Sequence, residues 1–503
     1  MNKHKHVPHA IGALAVCLAL GGLVGCTPGP AYVRPTMSVP VHYKEANEGA
    51  AGADRGSPGW LPAQPADGES RGDWWKLLGD PALDSLEGRV EVGNQSIMKS
   101  VADLEQAKAM VGSARSSYLP IVTAGVDVNR NHTSQNVEGR ALAGKTVSDY
   151  AAGLSVAWEP DLFDRIGHQV DAAQARYQAS EADLASVRLA MHAELAIDYI
   201  DVREIDAEAA LLRQTVDDFT KARDLVQTRF DGGIASASEL AQAETQLQVA
   251  KAQLIDLGEG RAQHEHAIAT LIGVSPSELN LAVTTAPLSV PIVPAGLPST
   301  LLERRPDIAA AERRVAAANA DVGEATSAFF PDLVLSATGG FESSNLSQWA
   351  MLPSRFWAIG PALLGTLFDG GRRKQELAAA KAKHEAAAAD YRQGVLSAFQ
   401  DVEDNLASLH VLGDESVTQQ HAVDASTRAA QLAMARYQAG ATDYLEVVTT
   451  QSVNLTQTLQ LVELSRRRLE ADVRLIKALG GGWQADEQPL AAKGQDGAAS
   501  IHG

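Results

Sequence analysis

The chain carries an internal duplication. "NQSI" at 94–97 stands before "GSARSSYLP" at 112–120, and "RPDI" at 305–308 stands before "GEATSAFFP" at 323–331, both at an offset of 211 residues. Further on, "DLFD" at 161–164 answers "TLFD" at 366–369, and "RFDGGIASASEL" at 229–240 answers "RYQAGATDYLEV" at 436–447, at offsets of 205 and 207. Two copies in such close step demand one supersecondary block made twice. The order in each half is helix, extended segment, loop, extended segment, long helix, tip, helix.

The two kinds of element have different periods. Ile166, Val170, Ala173, Tyr177, Leu184, Val187 and Met191 recur at intervals of four and three, with Ser180 filling one slot. That is a coiled-coil seam. No proline falls between 161 and 275, and the first break is Asp231-Gly232-Gly233. A helix from 165 to 230 would be about 100 Å long at a rise of about 1.5 Å per residue. After Pro120, Val122, Ala124, Val126 and Val128 alternate with polar or small residues. Leu154, Val156 and Trp158 do the same, and Leu333, Leu335, Ala337 and Phe341 resume the pattern in the second half. Runs of about ten such residues suit transmembrane strands, although a soluble sandwich gives the same alternation. Two strands per half make four, and four strands cannot close a barrel. Open edges are forbidden in lipid, so a membrane-spanning form needs further copies: two give eight strands, three give twelve.

The N-terminus predicts export. Lys3 and Lys5 precede an apolar run from Ala10 to Leu20, too short to span a bilayer. The run ends in Leu23-Val24-Gly25-Cys26, which resembles a bacterial lipobox with Cys26 as the lipid-modified first residue. Thr27 and Pro28 stand where an inner-membrane retention signal carries aspartate, which favours the outer membrane. Cleavage removes Cys17, so no intrachain disulfide is possible. The net charge is −19, and losing Lys3 and Lys5 makes it more negative still. Such an acidic chain lacks the basic surface that nucleic acid demands. Pro, Gly, Ala and Ser dominate the segment that follows, an extended leader. The chain after the glycines 480–482 is polar.

One motif argues for an enzyme. Gly139, Gly144, Lys145 and Thr146 have P-loop spacing, the pattern that cradles phosphates. A P-loop needs an apolar strand before it and a helix after it. Here "NRNHTSQNVE" is polar and "YAAGLSVAW" alternates like a strand, so the stretch reads as a surface loop. His264 and His266 in "HEH" suggest metal ligands, but residues two apart on a helix point in different directions, and solvated positions are the better reading. "GGRRK" at 370–374 reads as a strand-to-helix junction. No catalytic residue, metal or cofactor is expected.

"DWWKLLGDPALDSL" at 73–86 followed by Asn94, "ERRPDIAAAERRVAAANADVGEATSAFFP" at 303–331, and the duplicated Phe-Asp and Tyr-x-x-Gly elements resemble the TolC-type outer-membrane efflux proteins. The lipobox points to the lipoprotein branch that includes OprM-like and NodT-like proteins. The resemblance implies a mainly α fold with a membrane β-barrel: a homotrimer whose twelve strands, four per chain, continue into a long periplasmic coiled-coil α-barrel. It implies the passive exit channel of a tripartite pump for drugs or other small toxic compounds. The partners would be a periplasmic adaptor protein and an inner-membrane transporter of the resistance-nodulation-division class. A type I secretion duct and a structural coiled-coil lipoprotein are the alternatives. The expected organisation is signal peptide 1–25, lipid-anchored leader 26–72, efflux repeats 73–292 and 293–482, and tail 483–503.

The resemblance also implies site residues. The second-half tip lines the periplasmic aperture, where the acidic role falls on Glu446 and that of a latch tyrosine on Tyr437. Thr449 stands where a second acid is common and Thr442 where a latch arginine is common, and Asp443 is the acid placed to substitute. Gly233 and Gly440 occupy matching positions in a tight reversal.

Overall fold

The computed structural model describes residues 28–40, 43–45, 72–136, 139, 141–290 and 304–481. Cys26 and the tail lie outside them. The two repeats are matched almost residue for residue. Helix α1 (Pro81–Gly93) leads into α2 (Gln95–Ser116), strands β1 (Ile121–His132) and β2 (Thr146–Trp158), long helix α3 (Arg165–Asp231) and return helix α4 (Ala237–Leu271). The second repeat runs α5 (Pro306–Ser327), β3 (Asp332–Ser343), β4 (Arg355–Leu364), α6 (Arg372–Gln438) and α7 (Tyr444–Ala478). The long helices are both 67 residues and the return helices both 35. The duplication is therefore structural.

The helix boundaries follow local chemistry. Asp80 caps α1 by accepting from the Ala82 N–H at 2.9 Å, with Pro81 in the first turn. Ser236 and Glu239 form a reciprocal capping box at α4. Asn94 accepts from the N–H groups of Ser96 and Ile97 at the start of α2, and its amide donates to the Leu271 carbonyl at 2.8 Å. Arg305, 211 positions later, donates to the Ala478 carbonyl at 3.1 Å. Leu271 and Ala478 end the two return helices, whose last carbonyls lack intrahelical partners. Equivalent positions thus do equivalent work through different side chains.

The described residues fall into two compact units. One comprises those among Met1–Thr36, Asp103–Glu181 and Ala310–Arg392; the other, those among Met37–Ala102, Ala182–Ala309 and Gln393–Gly503. The first holds the sheet, an antiparallel meander in the order β1-β2-β3-β4. The register gathers apolar residues from all four strands on one face: Val126 lies opposite Ala152, Leu154 opposite Gly339, Trp158 opposite Leu335, and Ala337 opposite Ile359. Asp127, Ser155, Thr338 and Gly360 lie on the other face. There Phe356 covers a cross-strand glycine pair, Gly153 and Gly340; a Cβ at Gly340 would meet the Ala152 carbonyl oxygen at 2.1 Å. Twelve residues at about 3.4 Å make a strand of about 40 Å, which tilted by about 40° spans about 30 Å.

Both Phe-Asp elements are junctions between strand and helix. Phe163 stacks on Phe330 with centroids 4.8 Å apart. In the second half Asp369 accepts from the Gly371 N–H and pairs with Arg373 at 2.6 Å, and Arg373 also donates to the Thr366 carbonyl. "GGRRK" therefore clamps the junction, as its place after β4 predicts.

The predicted seam on α3 is present, with Ile166, Ala173 and Leu184 buried. A second seam runs beside it: Ala172, Ala175, Ala179, Ala182, Leu189, Ala193, Ala196 and Ile200 are buried at intervals of three, four or their sum. On α6 one seam runs through Ala388, Tyr391, Val395, Ala398 and Val402. Described leader residues pack on helices without forming one. Asn319 of α5 donates to the Pro30 carbonyl at 2.9 Å, Tyr32 donates to Glu312, and the N–H groups of Lys44 and Glu45 donate to Glu403.

Candidate functional site

The two helical reversals are built alike. At the end of α3 the Ile234 N–H returns to the Arg229 carbonyl at 2.8 Å and the Gly233 N–H to Phe230 at 2.9 Å. At the end of α6 the Ala441 N–H returns to Arg436 at 2.8 Å and the Gly440 N–H to Tyr437 at 3.0 Å. Gly233 and Gly440 take φ of 74° and 73°, the left-handed cap that glycine adopts without a Cβ clash.

Arg229 joins the two turns. Its guanidinium donates to the Tyr437 carbonyl at 2.9 Å and lies 4.5 Å from the Tyr437 ring centroid. Tyr437 packs edge-on against Tyr444 at 5.2 Å, and both rings are buried with Val226, Ala243, Ala433 and Val447. Burial pushes the Tyr444 phenol up to about 12. The Tyr437 hydroxyl is buried and has no hydrogen-bond partner among the described residues.

Glu446 is half-buried and held twice, by Arg436 at 2.8 Å and by the Thr442 hydroxyl. Asp443 is the cap of α7 and accepts from the Glu446 N–H at 3.2 Å. Structure thus brings Glu446, Asp443 and Tyr437 onto one turn, with Tyr437 facing inward and the acids outward. Arg229 and Arg436 were not singled out from the sequence. Their signal was there: each precedes an aromatic at the same slot of "RFDGG" and "RYQAG".

The P-loop spacing lies between antiparallel strands. Thr146 begins β2, its hydroxyl 2.9 Å from His132 Nδ1, and the Gly144 N–H donates to the Thr133 carbonyl. No helix follows, so the phosphate-binding arrangement is not formed. The reading of His264 as solvated needs correction. It is partly buried and lies 2.9 Å from Asp198, a partner 66 positions away that one-helix spacing does not show. His266 is exposed.

With that geometry in place, likeness to known proteins is decisive. The family model described as outer membrane efflux protein matches residues 88–274 and 297–481. The chain belongs to the outer membrane efflux protein family. It is 33% identical over 489 residues to the pyoverdine export outer membrane protein OpmQ of Pseudomonas aeruginosa, covering 96% of this chain and 99% of the relative. It is 30% identical to the toluene efflux pump outer membrane protein TtgF of Pseudomonas putida, covering 95% and 99%. The solved outer-membrane channel OprN, 30% identical, superposes with a TM-score of 0.81 over 91% of this chain and 100% of its own. This efflux protein is an outer-membrane channel and a conduit rather than an enzyme. The mostly helical chain with its four-stranded sheet is the fold of that family.

Proposed function

We propose that the chain is the exit channel of a tripartite pump, passing drugs or other small toxic compounds from periplasm to exterior without doing chemistry on them. The observation that carries this is the sheet. Most of its large apolar residues share one face, and β1 and β4 leave two unpaired edges. Such edges have no water partner in lipid. A homotrimer closes them into twelve strands around a lumen lined by the polar face. Energy comes from an inner-membrane transporter of the resistance-nodulation-division class, joined to the channel by a periplasmic adaptor.

Residues 73–292 and 293–482 are the two efflux repeats, and the family matches fall inside those bounds. Signal peptide 1–25, leader 26–72 and tail 483–503 flank them. Cys26 is the lipid anchor. Four positions on, the Pro30 carbonyl accepts from Asn319 of α5, the helix that feeds β3, a contact that supports an anchor near the start of the leader. Glu446 and Asp443 face the periplasmic aperture, and Tyr437 braces it from inside. The test is conductance of the purified assembly in a planar bilayer. Discrete steps of one size are expected; a protein that inserts and never conducts overturns the reading.

A further inference from the structure

We infer that Asp198, Asp201 and His264 form a binding site for one divalent transition ion of the zinc class. Asp198 and Asp201, three apart on α3, share a helix face, and His264 meets them from α4. One ligand atom from each lies within 4.8 Å of the others. His264 Nδ1 is 2.9 Å from Asp198 Oδ1 and 3.6 Å from Asp201 Oδ2. Four-coordinate bonds of about 2.0–2.2 Å set ligand atoms about 3.4 Å apart. The two separations from His264 bracket that value. An imidazole nitrogen with two carboxylates suits zinc and its neighbours, whereas magnesium and calcium take oxygen.

The surroundings favour the ion independently. Arg466 holds Asp201 Oδ1 at 3.0 Å, which turns Oδ2 toward His264, as a supporting partner does for a ligating carboxylate. A cavity of about 620 Å³ lined by Asp201, Glu204, Glu208, His264, Glu463 and Arg466 opens beside the triad and gives solvent access to a fourth position. Acids outnumber the one guanidinium there. Metal binding at Nδ1 displaces any proton there to solvent or to Nε2. The bound ion would staple α3 to α4 far in sequence from the turn that joins them.

The test uses the full, tag-free protein in detergent, stripped with a chelator and titrated with Zn²⁺ against a chromophoric competitor. One ion per chain is expected, unmoved by millimolar Mg²⁺. His264→Gln and Asp198→Asn each weaken it at least tenfold, and His266→Gln leaves it unchanged. Absence of stoichiometric Zn²⁺ binding in the unaltered protein overturns the inference whatever the variants do. So does binding that both substitutions leave intact. X-ray absorption at the zinc edge supplies a check free of mutation: one imidazole with oxygen ligands is expected, and a shell without nitrogen excludes this site.

Discussion

At Glu446 a carboxylate given to the aperture by its place in the sequence has two partners from its own chain. Arg436 and Thr442 hold both oxygens, so part of its field is cancelled locally. Removing Arg436 should then raise cation selectivity, and removing the acid should lower it. We expect Arg436→Ala to increase, and Glu446→Gln to decrease, the K⁺ over Cl⁻ permeability ratio by about twofold, since three converging charges focus the local potential. Reversal potentials across a KCl gradient measure this, and equal values in all three proteins remove Glu446 from the aperture. Asp472 makes a pH prediction. It is buried, its Oδ2 has no partner among the described residues, and burial raises its carboxyl to about 7 against the pull of Arg468. In the unfolded chain an aspartic acid titrates near about 4. Between those values the folded state keeps a proton that the unfolded state has released, so stability falls as pH rises through the window. Asp472→Asn should add about 1–3 kcal/mol at pH 8 and almost nothing at pH 4. Thermal midpoints at the two pH values decide it, and no gain at pH 8 means the charge is neutralised in the assembly.

At the scale of elements, the buried alanine line on α3 is the feature least visible in the sequence. Alanine is a strong helix former, so its abundance conceals that six alanines, with Leu189 and Ile200, form a second seam. A helix with two seams has close neighbours on both sides, and small side chains permit that approach. Ala196 is fully buried. Ala196→Leu is expected to cost about 1–3 kcal/mol by overpacking, while Glu194→Leu, exposed two residues earlier, stays within about 0.5 kcal/mol. Chemical denaturation of each variant compares them; equal loss would place the second seam at the surface. Much else was legible for simple reasons. Long helices declare themselves by a sustained interval of three and four, strands by alternation, and the duplication transfers each assignment to the other half. The clasp of Arg229 on Tyr437 and the triad of Asp198, Asp201 and His264 were not legible. Their partners lie 208 and 66 positions apart, and neither periodicity nor the repeat offset joins residues across helices.

For the whole molecule, the proposed function supplies two devices to hold the chain in the outer membrane, the Cys26 anchor and the closed barrel, and they are separable. A cysteine carrying several acyl chains is a firm anchor, since two already bind stably. A closed barrel needs no anchor, because its apolar face is solvated by lipid. Cys26→Ser is therefore expected to abolish metabolic lipid labelling and leave assembled protein in the membrane fraction. Val126 lies near the middle of β1 on the apolar face, opposite Ala152, the side proposed to meet lipid, and Asp127 beside it faces the other way. A charge at mid-membrane on the lipid face costs about 2–4 kcal/mol, so Val126→Arg should deplete assembled protein several-fold, and Asp127→Arg should not. In the Cys26→Ser background the Val126→Arg loss should deepen, because the surviving device is the one being damaged. Membrane fractionation with unheated gel electrophoresis reads all four proteins. Equal depletion by both arginines would mean that the two faces of the sheet meet the same solvent, which a barrel wall in lipid does not allow.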